Sequence, residues 1–393
     1  MKKTFLTIII LAFFSVNLTM AQETTKEEKV YSTVVDIPTT SVKNQQSTGT
    51  CWCFAGISYI ETELLRMGAP EIDLSEMYIV RLAYSQKAKR YFRYHGKGNY
   101  SEGGQAHDVL NVVKENGFVP ESVYSGNKYG SGFHIHKEML QSTKAMLDEV
   151  IKNPNRKITP VWEESINAVL DTYMGKVPSN FELDGVEYTP VSYAEKLGFN
   201  PDDYIELTSY SHHPFYQKIN LEIPDNWSDD LYYNVPMDDM MEVINYALNN
   251  GFSVCWDGDV SEKGFSHRNG YAVLPSEKTV DMTDSEIAKW EKDLAKDEKG
   301  NSKKDIEPEV SQELRQATFD DFETTDDHLM HLTGIVKDQY GKVYYKTKNS
   351  WAENSNQFGG YLNMSEAYVK LKTVAVMVHK DAIPKELKKK LGL

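Results

Sequence analysis

Apolar and polar residues change their rhythm along this chain, and the change divides it. From Cys51 to Met67 apolar positions (Phe54, Ile57, Ile60, Leu64, Leu65) recur mostly at spacings of three and four with no proline inside, which predicts a helix. Further helices are predicted over Ser75–Lys87, over Ala106–Asn116 closed by Gly117, in one or two stretches of 137–175, and over Met237–Asn249 ended by Gly251. Among them, Glu182–Val186 and Tyr204–Ser209 look β-like, and Val34–Val42 reads as an extended lead-in. Past Gly251 the chain turns to strands. Ser253–Asp257 is short and apolar-rich, and Gly270–Leu274 extends the same sheet. His328–Val336, Lys342–Asn349, Gly360–Met364 and Val374–His379 then alternate as an antiparallel meander. Helices first and sheet last is an α+β order of elements. There is no internal repeat.

Two segments stand outside this pattern. Lys2 and Lys3 open the chain, Phe5–Phe14 is apolar apart from Thr7, and Thr19-Met20-Ala21 puts small residues where a leader peptidase needs them. Residues 1–21 therefore read as a signal peptide, and export to the periplasm or medium is expected. The apolar run is too short to span a bilayer comfortably, and no longer one follows, so no stable membrane insertion is expected after its removal. The second segment, about 276–312, is strongly charged and reads as a solvated helical excursion. One domain is expected over 22–393, with helices over about 45–250, the sheet over about 251–380 and a terminal arm over about 381–393.

Charge narrows the partners. Against 43 Lys and Arg stand 58 Asp and Glu, a formal net charge of −15, which repels phosphate backbones and argues against nucleic acid. The dense basic cluster Lys388–Lys390 reads as a solvated helix end. Three cysteines exclude a multi-bridge disulfide framework. They draw attention instead to the thiol beside a tryptophan.

That thiol is Cys51, in Val42-Lys43-Asn44-Gln45-Gln46-Ser47-Thr48-Gly49-Thr50-Cys51-Trp52-Cys53-Phe54. A polar, glycine-containing loop delivers it to a helix start, where unpaired N–H groups and the dipole favour the thiolate. The Gln45 side chain, with the Cys51 backbone N–H, is placed to form an oxyanion hole. A base is at hand: Asp327-His328 opens one predicted strand and Lys348-Asn349-Ser350-Trp351 ends the next, so a hairpin puts His328 beside Asn349. Asn349 accepts the imidazole N–H without imposing a full charge, and Trp351 shields that bond. Metal binding by the pairs His134/His136 or His212/His213 would need further ligands that the sequence does not place, and they read as exposed loop histidines; no metal and no cofactor are expected.

These three blocks resemble the papain superfamily of cysteine peptidases. Ser101-Glu102-Gly103-Gly104-Gln105, Val109–Val113 with Gly117-Phe118-Val119-Pro120, Tyr233-Asn234-Val235-Pro236 and Lys346–Trp351 narrow the resemblance to its bleomycin hydrolase/aminopeptidase C family, over most of 35–380. It implies a two-lobed fold with large insertions, a helical left lobe and an antiparallel right lobe. Catalytic roles are implied for Cys51, His328, Asn349 and Gln45, and substrate backbone pairing for Gly103 and Gly104. In the papain pattern a glycine follows the catalytic histidine by six residues, as Gly334 follows His328, so His331 reads as filling behind the strand. Thr48 stands where many papains have a disulfide cysteine. The interval from the expected cleavage site to Cys51 leaves no room for a long inhibitory propeptide. In the resembled family restraint comes from a hexamer with inward-facing sites and a C-terminal arm in each cleft, for which 385–393 is the counterpart. The readings are thus an aminopeptidase acting on peptides, an endopeptidase with an open cleft, or a silent peptide-binding protein.

Overall fold

The computed structural model describes residues 29–153, 157–275 and 307–393. The expected leader over 1–21 lies outside these residues, as does the charged insertion apart from 307–312.

An edge strand β1 (Tyr31–Asp36) leads into the helices α1 (Cys51–Arg66), α2 (Glu76–Arg93), α3 (Ala106–Asn116), α4 (Lys137–Ile151) and α5 (Trp162–Met174). A small hairpin, β2 (Phe181–Leu183) and β3 (Val186–Tyr188), precedes α6 (Pro190–Leu197). Then come β4 (Tyr204–Thr208), β5 (Gln217–Asn220), β6 (Leu231–Asn234), α7 (Met237–Asn249), β7 (Val254–Gly258), β8 (Phe265–Ser266) and β9 (Tyr271–Ala272). The last part holds α8 (Gln312–Asp320), β10 (His328–Asp338), β11 (Val343–Lys348), β12 (Tyr361–Ser365), α9 (Glu366–Lys372), β13 (Thr373–His379) and α10 (Lys385–Leu391). The α+β class follows directly.

Among the described residues one sheet of eleven strands runs β5-β6-β4-β13-β7-β10-β11-β12-β9-β8, with β1 also on β10. It is mostly antiparallel, but β4 pairs with β6, and β12 with β9, in parallel, which the expected meander does not contain. The strands β4 to β6, which the sequence pattern groups with the helices, belong to this sheet, and helix α7 packs against it. β4 lies against β13, a partner far along the chain that local periodicity cannot reveal.

The faces of β7, β10 and β13 separate two cores. Cys255, Leu329 and Met377 turn toward α1 and the helical side, while Val254, Trp256, Met330, Leu332, Val376 and Val378 turn toward α7. Leu387 and Leu391 of α10 are buried in the α7 core, and Lys390 reaches Asp239 of α7 at 3.2 Å. The segment expected to lie in the cleft thus covers the face opposite the helix that begins at Cys51, and Leu393 is exposed. Two leucines four apart on a short helix give up more apolar surface against α7 than they would in a solvated groove.

Candidate active site

Helix α1 is buried along almost its whole length, and Cys51 is its first residue. The loop before it is tied down from three directions. The Gln45 amide donates to the Thr48 carbonyl at 2.7 Å, the Thr48 hydroxyl donates to the Gln45 carbonyl at 2.7 Å, and the Gly49 N–H donates to Glu102 Oε2 at 2.6 Å. Trp52 sends its indole N–H to the Glu102 carbonyl at 2.9 Å, so the second residue of α1 holds the Gly103–Gly104 segment alongside. At Gly104 a Cβ would come within 3.1 Å of the Trp52 ring and 2.7 Å of Asp108 Oδ2, which is why no side chain stands there.

The second half of the site comes from the sheet. His328 starts β10 and Asn349 follows β11, and the imidazole Nε2 meets Asn349 Oδ1 at 2.8 Å. That bond assigns the proton to Nε2 and leaves Nδ1 as the basic nitrogen. The Trp351 ring lies over His328 with centroids 4.9 Å apart. Gln45 joins the same cluster: its backbone N–H donates to the Ser350 carbonyl at 2.8 Å, and its side-chain oxygen accepts from the Ser350 hydroxyl at 2.6 Å. The loop that carries the thiol and the strand end that carries Asn349 are thereby one unit.

Electrostatics at rest favour neutral partners. Burial pushes the Cys51 thiol up to about 12, and Asp257, Asp326 and Asp225 add to that, while the Leu329 backbone amide, next to His328, pulls it down. Burial drives His328 down to about 4, against the Asn349 bond, which raises it. Such a thiol does not ionise alone at neutral pH; it needs a base that takes its proton as it attacks.

His331 points elsewhere. Its Nδ1 meets the Ser58 hydroxyl of α1 at 3.0 Å and its ring packs edge-on to Tyr59, deep in the core. Gly103 and Gly104 follow the Glu102 carbonyl that Trp52 holds, with Gly103 against the Asp225 carboxylate. One residue escaped the sequence reading: His267, whose ring lies 4.9 Å from Trp351 and whose Nδ1 is 3.3 Å from the Asn349 amide. Nothing in Ser266-His267-Arg268 distinguishes it; only the β8–β9 turn brings it there.

Of the other histidine pairs, one differs from expectation. His136 is fully buried, held by the Tyr84 hydroxyl at 2.9 Å rather than exposed in a loop. His212 and His213 face Glu222, and the three offer ligand atoms within 4.8 Å of one another. The third member is supplied by the chain beyond β5. All three cysteines are free and buried. Among the described residues no helix is long and apolar enough to cross a membrane.

The sequence profile described as the Peptidase C1-like family matches residues 13–392. Aminopeptidase G of Lactobacillus delbrueckii subsp. lactis is 24% identical over 402 residues, covering 91% of this chain and 84% of its own. Aminopeptidase C of Streptococcus thermophilus is 23% identical over 397 residues, covering 90% and 83%. In three dimensions the chain is similar to PepW of Lactobacillus rhamnosis HN001, with a TM-score of 0.70 at 19% identity over 92% of this chain and 84% of the other. That last likeness bears on the fold, which is papain-like.

Proposed function

The chain belongs to the Peptidase C1-like family, and from that premise we propose that it is an exported cysteine peptidase acting on the free N-termini of peptides. Cys51 attacks the scissile carbonyl, His328 Nδ1 takes the thiol proton and later gives it to the leaving amine, and Asn349 keeps the imidazole in that tautomer. Gln45 and the Cys51 backbone N–H receive the oxyanion. The backbone of Gly103 and Gly104 pairs with the substrate chain, and Trp351 keeps water from the His328–Asn349 bond. The observation that carries the reading is the 2.8 Å His328–Asn349 bond in a cluster that Ser350 ties to the loop of Cys51. N-terminal action rests on the similarity to two proteins named aminopeptidases.

The test pairs Cys51→Ala with a peptide series bearing free or acetylated N-termini. Loss of all cleavage in the variant is expected, together with preference of the parent for free amines. Labelling by iodoacetamide at Cys53 or Cys255 in place of Cys51 would overturn the assignment. One observation favours the endopeptidase reading: α10 packs on α7, on the face opposite α1, leaving the cleft without that restraint. Equal cleavage of acetylated and free peptides decides for it. Export rests on residues 1–21, and the N-terminus of the mature protein, expected at Gln22, checks it.

A further inference from the structure

Three carboxylates converge beside the nucleophile, and the peptidase reading gives them no task. Asp257 lies on β7, Asp326 just before His328, and Asp225 against the Gly103 backbone. All three act on the Cys51 thiol, and in the unhelpful direction, since a negative charge opposes a thiolate. A site that only needed a reactive cysteine would be better without them.

Their partners are incomplete. Asp326 accepts from the Gln105 amide at 2.9 Å, directly after Gly104, and Asp225 accepts from Asn99 at 2.9 Å. Asp257 is 3% exposed and shares a hydrogen bond with the Asp326 carboxyl, and among the described residues no other group donates to its oxygens. Burial first, and then the neighbouring acids Asp326, Glu206 and Asp225, push its carboxyl well above the usual carboxylate range, so it holds its proton at rest. A separate orphan lies close by. Among the described residues the hydroxyl of Tyr210, fully buried, has no hydrogen-bond partner, and Asp257 and Asp326 are among the charges it feels. Lys87 is a buried cation acting on Asp225, and it is committed to the Ser101 and Gly103 carbonyls. Asp326 and Asp225 are only half-buried, so they form a reachable rim above the buried Asp257.

A buried carboxyl pair that must share a proton, with an unpartnered hydroxyl beside it, is a place where a cation can replace that proton. The geometry points to Asp257 and Asp326, with Asp225 at the rim, as the seat for an ammonium group of the peptide substrate. This seat adjoins Gly103–Gly104, where the substrate backbone runs, so the cation is either the free α-amino group or a basic side chain next to the scissile residue. The ammonium displaces the shared proton to solvent and itself offsets the charge this leaves on the acids, so their field does not oppose the thiolate when the correct substrate is bound. The inference rests on the peptidase reading; where the cation is the α-amino group, the seat supplies the N-terminal selectivity that α10, packed on α7, does not.

The experiment uses three coumarin reporters: an aminoacyl one with a free amine, and acetylated dipeptidyl ones with Lys or norleucine in the second position. Asp326→Asn and Asp257→Asn should lower kcat/KM for a cation-bearing reporter about 10- to 100-fold relative to the norleucine reporter, the range of one charge-assisted bond. Loss confined to the free-amine reporter assigns the α-ammonium; loss confined to the lysyl reporter assigns the side chain. An equal effect on all three, or none, overturns the seat. Should the asparagine variants not fold, calorimetry on Cys51→Ala with alanyl-alaninamide, its acetylated form, and acetylated Lys and norleucine dipeptides decides, equal affinities within both pairs overturning it. Cleavage of the norleucine reporter by the parent enzyme, and its loss in Cys51→Ala, reads the peptidase assignment separately.

Discussion

Gln45 has two amide protons, and one of them is committed to the Thr48 carbonyl. The other is free for negative charge that appears only when the thiolate has attacked. Gln45→Ala should therefore lower kcat by roughly 10²–10³ and change KM much less. A large rise in KM at unchanged kcat would make Gln45 a ground-state contact. His328 makes a second residue-scale prediction, with a definite sign. The base works only when neutral, and burial holds it down to about 4, so kcat/KM should fall as pH drops through about 4 rather than through the usual imidazole range. His331→Ala, which removes the ring bonded to Ser58, should leave that limb in place and lower the melting temperature. A limb that moves with His331 instead would reassign the base.

Among the elements, the short loop-to-helix run at Cys51 and the strand ends at His328 and Asn349 were legible because each is a local pattern of residue types. The glycine six residues after His328 has a physical reason that the pattern alone does not state. At Gly334 the pairing of β10 with β11 shifts register, and a Cβ there would run into the Val35 carbonyl of β1. Gly334→Ala should push β1 off the sheet and cost about 1–3 kcal/mol, the usual range for an overpacked site, measured as a lower denaturation midpoint. Unchanged stability would show that β1 is not held at that point. What stayed illegible is what tertiary partners decide. β5, β6 and the two-residue strand β8 are too short for a period, and His267 and Asp257 matter through neighbours far along the chain.

Across the whole molecule the sheet separates two cores, and the C-terminal segment takes the one away from Cys51. An arm reading rests on family likeness and on position at the end of the sequence; neither contains the face to which Leu387 and Leu391 turn. The two readings predict different outcomes for one truncation. If 386–393 restrained the cleft, its deletion would shift the ratio of free-amine to acetylated cleavage. With α10 packed on α7, deletion instead exposes that core. Each buried leucine lost is worth about 2–5 kcal/mol, less whatever the site recovers by relaxing. The milder Leu387→Ala should lower the denaturant midpoint while leaving the reporter ratio where it was, because α10 and the acids Asp257 and Asp326 lie on opposite sides of the sheet. A changed ratio at unchanged stability would return the C-terminus to the cleft and take the ammonium seat's role away from the acids.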